Sequence, residues 1–463
     1  MDVEIWSRIQ FAFTISFHYI YPPMSIGLGL VLVIMEGMYL KTGRKIYEDA
    51  TRFWIKIFAL IFGIGVATGI IMEFEFGTNW ATYSKYVGDI FGSALAAEGI
   101  FAFALESGFL GILVFGWNRV GPRVHFFSTV MVFLGSMFSA IWIVVANSWQ
   151  QTPAGFHIVG EGMHARAEIT DFWAMVFNPS SMDRLLHVWI GAFLSGAFLV
   201  LSVNAYYIIK KRHLEISRPS FKIALAVATV CSLLQLFAGH PSADGVSKNQ
   251  PAKLAALEAH YDSAARGDMY LFGYVNNQTQ QVSGIKIPGG LSFLIHGDFN
   301  TPVKGLNAFK EDEKPKQVNA IFQVYHIMIA CGISMIALTL FLFAVWQWKR
   351  KKLFEIKWLL WICVWSVLLP QIANQAGWFA AEMGRQPWVV YGLLKTSDAL
   401  SKTVKTNQVI FSMILFTLVY SILLVLFLYL LNRKIKHGPD SNVQEDDEGS
   451  SNTKRNNPLM EQI

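Results

Sequence analysis

Charge is scarce in this 463-residue sequence: Asp, Glu, Lys and Arg make up 15%, against 53% hydrophobic and 14% aromatic residues. A water-soluble chain carries about a quarter charged residues, so a surface this poor in charge calls for an apolar solvent. Cysteine is nearly absent too, and Cys231, Cys331 and Cys363 each sit inside an apolar stretch. With no C-x-x-C and no C-x-x-C-H, a disulfide framework and covalent c-type haem are excluded, and the thiols read as small core residues. The opening Met-Asp-Val-Glu-Ile-Trp lacks a basic segment and a small-residue cleavage site, so the first apolar span is expected to serve as the membrane-targeting segment. The formal charge of +6 does not point to nucleic acid. Its basic residues fall in short clusters between apolar runs, as in loops held on one side of a membrane.

What is abundant is apolar sequence in runs of bilayer length, about 20 residues each. They lie near 11–40, 53–73, 93–116, 125–146, 184–209, 221–239, 320–347, 357–380 and 408–432. The expected fold is therefore all-α, a polytopic membrane bundle of about nine transmembrane helices. The connections after spans one, three, five and seven carry Lys41, Arg44, Lys45 and Arg52, then Arg119 and Arg123, then Lys210, Lys211 and Arg212, then Lys349, Arg350, Lys351 and Lys352. The connections after spans two and four are poor in basic residues, with Lys85 beside Glu73, Glu75 and Asp89 in one and Arg166 in the other. The positive-inside bias puts the N-terminus outside and the C-terminus, with Arg433, Lys434 and Lys436, in the cytoplasm. Four regions follow: spans one to six (1–239), a long extracytoplasmic segment (240–319), spans seven to nine (320–436) and a polar, disordered cytoplasmic tail (437–463). No inverted repeat of the secondary-transporter kind is evident.

Ionisable groups in hydrocarbon are costly, and each is a functional candidate. His18 lies in span one, Glu98 and Glu106 in span three, His187 in span five, His326 and Met328 in span seven, and Glu382 just after span eight. Imidazole and thioether are the usual axial ligands of haem iron, and a His/Met pair makes a low-spin centre. On the inferred topology, His18, His187, Met328 and Glu382 fall in the outer half of four different helices. Glu98 and Glu106, eight residues apart, should share a helix face about 12 Å apart along the axis. With Ser107 and Ser139 near them, they suit a proton relay. Glu36, Glu73 and His125 read as interfacial, and the loop histidines need no role. Spacing alone supports a haem-binding or proton-conducting membrane protein and no more.

Gly-Val-Ala-Thr-Gly (65–69), Met-Glu-Phe-Glu-Phe-Gly-Thr-Asn-Trp (72–80), Tyr-Val-Gly-Asp-Ile-Phe-Gly (86–92) and Gly-Trp-Phe-Ala-Ala-Glu-Met-Gly-Arg-Gln-Pro-Trp (377–388) carry the analysis further. In this order they resemble subunit I of cytochrome bd-type quinol oxidases, from span one through span nine. The resemblance implies three haems: a low-spin haem b, a high-spin haem b, and haem d or a third haem b in its place. It implies His187 and Met328 as axial ligands of the low-spin haem, and His18 and Glu382 as ligands of the two high-spin haems, without saying which takes which. Trp378 and Arg385 match residues packed around the haems, and Glu98 and Glu106 match acidic residues of proton delivery. Gln250, Lys253 and Glu258 match the quinol-binding residues of the outer segment, in a short-loop form; the residue-level alternative is an ordinary solvated amphipathic helix. His326 stands where some relatives have arginine, and a neutral imidazole would stabilise haem propionates less than a fixed cation.

The implied activity is quinol oxidation at the outer face and reduction of O2 to water with cytoplasmic protons, which generates protonmotive force without a pump. Implied partners are a second multi-span subunit, small single-span subunits, quinol, O2 and lipid, in a bacterial cytoplasmic membrane. A haem–copper oxidase would need an adjacent histidine pair, and no His-His occurs. A proton-conducting transporter would use Glu98 and Glu106 but leave the His, Met and Glu set idle. The ligand expectation gives a direct test: His187→Ala should abolish the low-spin haem b band in the reduced-minus-oxidised spectrum of the purified complex. A band that persists unchanged would contradict the assignment.

Overall fold

The computed structural model describes residues 3–263, 266–348 and 352–439. Lys349, Arg350 and Lys351 of the basic cluster, and the expected disordered tail from residue 440, lie outside the described residues. Among those described, nine helical stretches are long and apolar enough to cross a bilayer: Val3–Thr42, Lys45–Thr78, Gly88–Phe115, Pro122–Gln151, Ser181–Ile209, Leu214–Asn249, Val318–Trp348, Lys357–Arg385 and Thr406–His437. They match the nine runs read from hydropathy, and each extends beyond its apolar run. Backbone hydrogen bonding continues past the hydrocarbon, where polar side chains cost nothing. The largest extension is the sixth span, which runs through Pro241 to Asn249. Residues 240–249 are thus helix, and the long segment between the sixth and seventh spans begins at 250.

Three spans depart from regular α-helix, each for a local reason. The first breaks between His18 and Tyr21. Pro22 and Pro23 have no N–H to give the carbonyls of residues 18 and 19, so the chain restarts there and His18 becomes a helix end. The eighth breaks between Trp365 and Leu368, where Pro370 cannot bond the Ser366 carbonyl. The third contains a π turn, Glu98–Phe103, of the kind that marks functional positions in helices.

The fifth span forms the centre of the bundle, with most of its residues buried. It meets the first span at two glycines: a Cβ on Gly196 would lie 2.0 Å from the Gly27 carbonyl carbon. Without a hydrophobic drive between helices in lipid, such close backbone approach supplies the packing. Around it sit Leu28, Trp54, Phe58, Phe198 and Phe221, all buried. The three cysteines are buried and unbonded, as expected. The third, seventh and ninth spans instead turn Phe101, Phe115, Ile333, Phe341, Phe411 and Val425 outward.

The two ends of the bundle differ. Connections after spans one, three and five are short and basic. Those after spans two, four, six and eight build a structured cap that includes three antiparallel hairpins: Phe156–Val159 with Arg166–Ile169, Met269–Asn276 with Gln281–Ile287, and Trp388–Val390 with Leu394–Lys395. These hairpins are additions to the all-α expectation; their strands are too short to stand out beside membrane helices. Trp80, Tyr83, Trp149, Ala167, Met175 and Val390 pack into one cluster, which joins the cap to the ends of the spans.

The Gly27–Gly196 contact predicts that Gly196→Val, which must overpack a backbone-to-backbone seam, destabilises the protein by about 1–3 kcal/mol or more. The check is the thermal midpoint and yield of the purified complex. Gly63→Ala, which meets nothing within 4 Å, should leave both unchanged.

Candidate functional site

The helix Leu368–Arg385 is the polar hub of the bundle. Gln371, Gln375, Trp378 and Glu382 recur at i, i+4, i+7 and i+11, so they form one stripe along it. Gln375 Nε2 donates to the Ser16 carbonyl of the first span at 2.8 Å, and Trp378 packs on Phe11 with centroids 6.1 Å apart. Asn374 Nδ2 donates to Ser195 Oγ of the fifth span at 2.9 Å. Gly377 abuts the seventh span, where a Cβ would sit 2.8 Å from the Met328 sulfur. Glu382 Oε1 accepts from Asn147 Nδ2 at 3.2 Å and Gln151 Nε2 at 3.4 Å, both on the fourth span.

The ligand-type residues hang from this frame. His18, at its helix end, has Nδ1 3.0 Å from Thr68 Oγ1 of the second span. His187 lies one turn before Gly191, against which Asn374 packs, and the Gln235 amide nitrogen is 3.1 Å from each of its ring nitrogens. Met328 packs at Gly377, and Glu382 pairs with the Arg385 guanidinium. Buried Arg385 also donates to the Trp388 carbonyl at 3.2 Å and Gln150 Oε1 at 3.4 Å. Each of the four predicted ligands therefore sits on its own span, within about a turn of a contact with the hub helix or its immediate neighbours.

Residues of the segment between the sixth and seventh spans reach the same cluster. Gln250 Nε2 donates to the Gln151 carbonyl at 2.8 Å, and Lys253 Nζ donates to Gln151 Oε1 at 3.0 Å. Gly384 makes room, since a Cβ there would lie 2.9 Å from Lys253 Cγ. Gln250, Lys253 and Glu258 are 2%, 6% and 2% exposed, so helix Pro251–Leu257 is an inserted element and the solvated-helix alternative falls. Burial, with Arg184 and Arg385 nearby, pushes the Lys253 ammonium well below its ordinary range, against the pull of Glu382. Burial likewise pushes the Glu258 carboxyl up to about 7, although the Tyr325 hydroxyl bonds to it and pulls the other way. Its Oε2 has no partner among the described residues.

Glu98 and Glu106 lie apart from this cluster, on the third span. Glu98 accepts from Ser139 Oγ and Glu106 from Ser136 Oγ at 2.5 Å. Those serines are three residues apart, about 4.5 Å along the axis of the fourth span. The acids thus converge more than the expected 12 Å spacing implied, because long side chains and the π turn draw both towards one neighbour. Gly135 leaves the space for Glu106, as a Cβ there would meet its Cγ at 2.5 Å. Ser107 is exposed, and its hydroxyl bonds the Ala104 carbonyl rather than either acid.

Several readings change. His326 turns towards the cap, its ring nitrogens 2.8 Å from the carbonyls of Phe322 and Tyr270, and so pins the hairpin strand Met269–Asn276. Glu75 belongs to the second span, fully buried, and accepts from Thr14 Oγ1 at 2.7 Å. Glu36 and His125, near the ends of their spans, face other helices; each is 1% exposed and they bond each other. Sequence reasoning also missed Asn147, Gln151 and Arg184. Arg184 donates to Asn147 Oδ1 at 2.5 Å and Ser148 Oγ at 3.1 Å. A charge three residues before His187 inside a span was the available signal for it.

The residues present fit iron porphyrin. Two imidazoles and a thioether are haem-iron donors, and the Thr68 hydroxyl can accept from the His18 Nδ1–H as an outer-shell partner does. Beside them, buried polar atoms lack partners among the described residues: both amide atoms of Gln371, Gln375 Oε1 and Trp189 Nε1. Such orphans are expected where a bound group supplies the missing contacts.

Comparison with known proteins gives the same direction. The family model for cytochrome bd terminal oxidase subunit I matches residues 6–439. Cytochrome bd ubiquinol oxidase subunit 1 of Bacillus subtilis (strain 168) is 36% identical over 96% of this chain and 96% of its own length. Cytochrome bd-II ubiquinol oxidase subunit 1 of Escherichia coli (strain K12) is 34% identical over 95% of this chain and 98% of its own. The structure of bd oxidase from Geobacillus thermodenitrificans superposes with a TM-score of 0.86 at 27% identity, covering 95% of this chain and 99% of that one. With its nine spans, its haem-type donor set and a match along nearly the whole chain, this protein belongs to the cytochrome bd terminal oxidase subunit I family.

Proposed function

We propose that quinol binds against helix Pro251–Leu257 on the outer face of a bacterial cytoplasmic membrane, and that O2 is reduced between the spans tied to helix Leu368–Arg385. Membership in the family makes the chain the catalytic subunit of a cytochrome bd quinol oxidase, a quinol:oxygen oxidoreductase; the proposal concerns where its parts act. The observation that carries it is the side chain and carbonyl of Gln151, which link Glu382 to Lys253 and Gln250.

In this reading His187 and Met328 hold a low-spin haem b. His18 and Glu382 hold a high-spin haem b and haem d, or a third haem b in its place. When bound, these groups supply electron transfer and the chemistry of O2 reduction. The protein's own residues do the rest. Trp378 and Arg385 pack around the haem site, with Arg385 holding the Glu382 carboxylate. Lys253 hydrogen-bonds the quinol oxygen, and Gln250 keeps Lys253's helix docked on Gln151. Glu258 takes a proton from the quinol hydroxyl and releases it to the outer side. Glu106 and Glu98 carry protons inward from the cytoplasm.

Placing the cap outside is supported by the basic clusters at the other end. Release outside and uptake inside generate protonmotive force without a pump. The subunit I designation implies a second subunit, for which the outward apolar faces of the third, seventh and ninth spans are suited; small single-span subunits, lipid, quinol and O2 complete the partners.

The raised pKa of Glu258 fixes the sign of a pH test. As base it acts deprotonated, and that fraction grows as pH rises through about 7. Thus kcat/KM for quinol should rise up to that pH and level off above it. Glu258→Gln should lower it by roughly 10²-fold and remove the pH dependence, and Lys253→Ala should raise KM. Artificial donors that bypass the loop should still drive O2 reduction in both variants. Equal loss with quinol and with such donors would contradict a quinol role.

A further inference from the structure

The pair formed by Glu36 and His125 has no part in anything described so far. It lies towards the basic end, between the first and fourth spans. His125 Nδ1 is 2.6 Å from Glu36 Oε1, and His125 Nε2 is 3.1 Å from the Leu113 carbonyl of the third span. Thr129 Oγ1 donates to the second Glu36 oxygen at 2.5 Å. Trp117 covers the imidazole, with ring centroids 3.9 Å apart. The Arg52 guanidinium of the second span lies 4.5 Å above Trp117 and is itself paired with Glu48 at 2.6 Å. Tyr39, on the first span, is a further titratable neighbour of Glu36; Arg123, two residues before His125, is exposed.

The hydrogen-bond chemistry limits what the pair can hold. A carbonyl oxygen only accepts, so Nε2 carries a proton towards Leu113. One further proton then lies between Nδ1 and Oε1, on either atom, and the pair is neutral in both arrangements. A fixed ion pair for packing alone would be a poor choice here, because burying two charges is offset only by good geometry. A neutral pair that shares a proton in a sealed site is well made for taking up one proton and passing one on.

Its position points the same way. His125, Thr129, Ser136, Asn147 and Gln151 recur on one face of the fourth span, His125 and Ser136 being eleven residues and three turns apart. That face runs from the Glu36–His125 pair, past the serines that hold Glu106 and Glu98, to the two residues that hold Glu382. Between Thr129 and Ser136 the stripe is interrupted by buried Val132, over about 10 Å along the axis.

We propose that Glu36 and His125 form the cytoplasmic loading station of the proton route, receiving each proton before Glu106. The proposal rests on the direction of uptake given above. One proton arrives from cytoplasmic water on the Glu36 carboxylate. One leaves the pair for the Glu106 carboxylate across the Val132 gap, so the pair returns to its starting charge.

The test uses the complete purified oxidase in liposomes, following proton uptake after O2 is mixed with the reduced enzyme, alongside its haem spectrum. Glu36→Gln and His125→Gln should each slow uptake by at least about tenfold with unchanged spectra. The double variant should be no slower than the singles, and Glu36→Asp should recover part of the rate. Thr129→Val, the mildest change, should slow uptake a few-fold, and it decides the matter if the others fail to assemble. Uptake within about twofold of the unmodified enzyme, in Glu36→Gln and His125→Gln or in Thr129→Val when only it assembles, overturns the station. Glu106→Gln separates the premises. If it blocks uptake while the pair variants do not, only the loading station fails; if it does not block uptake either, the route itself fails.

Discussion

The structure depends on how one amide is shared. Gln151, the last residue of the fourth span, donates to Glu382 through its side-chain nitrogen and accepts from Lys253 through its side-chain oxygen. Its carbonyl accepts from Gln250. The inserted helix Pro251–Leu257 also packs through Ala255, Ala256 and Leu257 on Val318, Phe322 and Ala380, but Gln151 is its polar tie to the end of the fourth span, and without it buried Lys253 and partly buried Glu382 would each lose a partner. Removing one member of a buried network leaves the others unsatisfied, which is why such networks fix position so strongly.

Around that link, two helices carry most of the polar groups. The eighth span tolerates glutamine, asparagine and glutamate because its polar stripe faces neighbouring spans, and each group finds a partner there or stands beside the haem donor set. The fourth span does the same along its whole length, from His125 to Gln151. Apolar packing is left to the fifth span, locked to the first at Gly27 and Gly196. Rigid apolar centre and polar flank together hold four donor side chains from four separate spans in one region, which no single helix can do.

Much of this was legible in the sequence. Nine apolar runs gave nine spans, because the hydrocarbon thickness dictates length. His18, His187, Met328 and Glu382 stood out because ligand-type groups in apolar runs need a reason. Gln151 and Asn147 did not, since neutral amides near a span end are common, and only their contacts give them meaning. The burial and pairing of Glu36 and His125 were not legible, because burial depends on neighbouring helices and not on position within one. The convergence of Glu98 and Glu106 needed the π turn and Gly135, neither of which a 3.6-residue period reveals. The hairpins of the cap were hidden by their shortness, and burial of Lys253 and Glu258 by a segment that reads as polar.

The central claim is that the inserted loop helix and the Glu382 carboxylate act as one unit through Gln151. The most direct measurement is the rate at which quinol reduces the haems in Gln151→Leu, by stopped flow, compared with the unmodified complex and with full chemical reduction of both. The account predicts slowing by roughly tenfold or more, together with a shifted high-spin haem spectrum, while total haem content is retained. Reduction at the unmodified rate with an unaltered spectrum would contradict it.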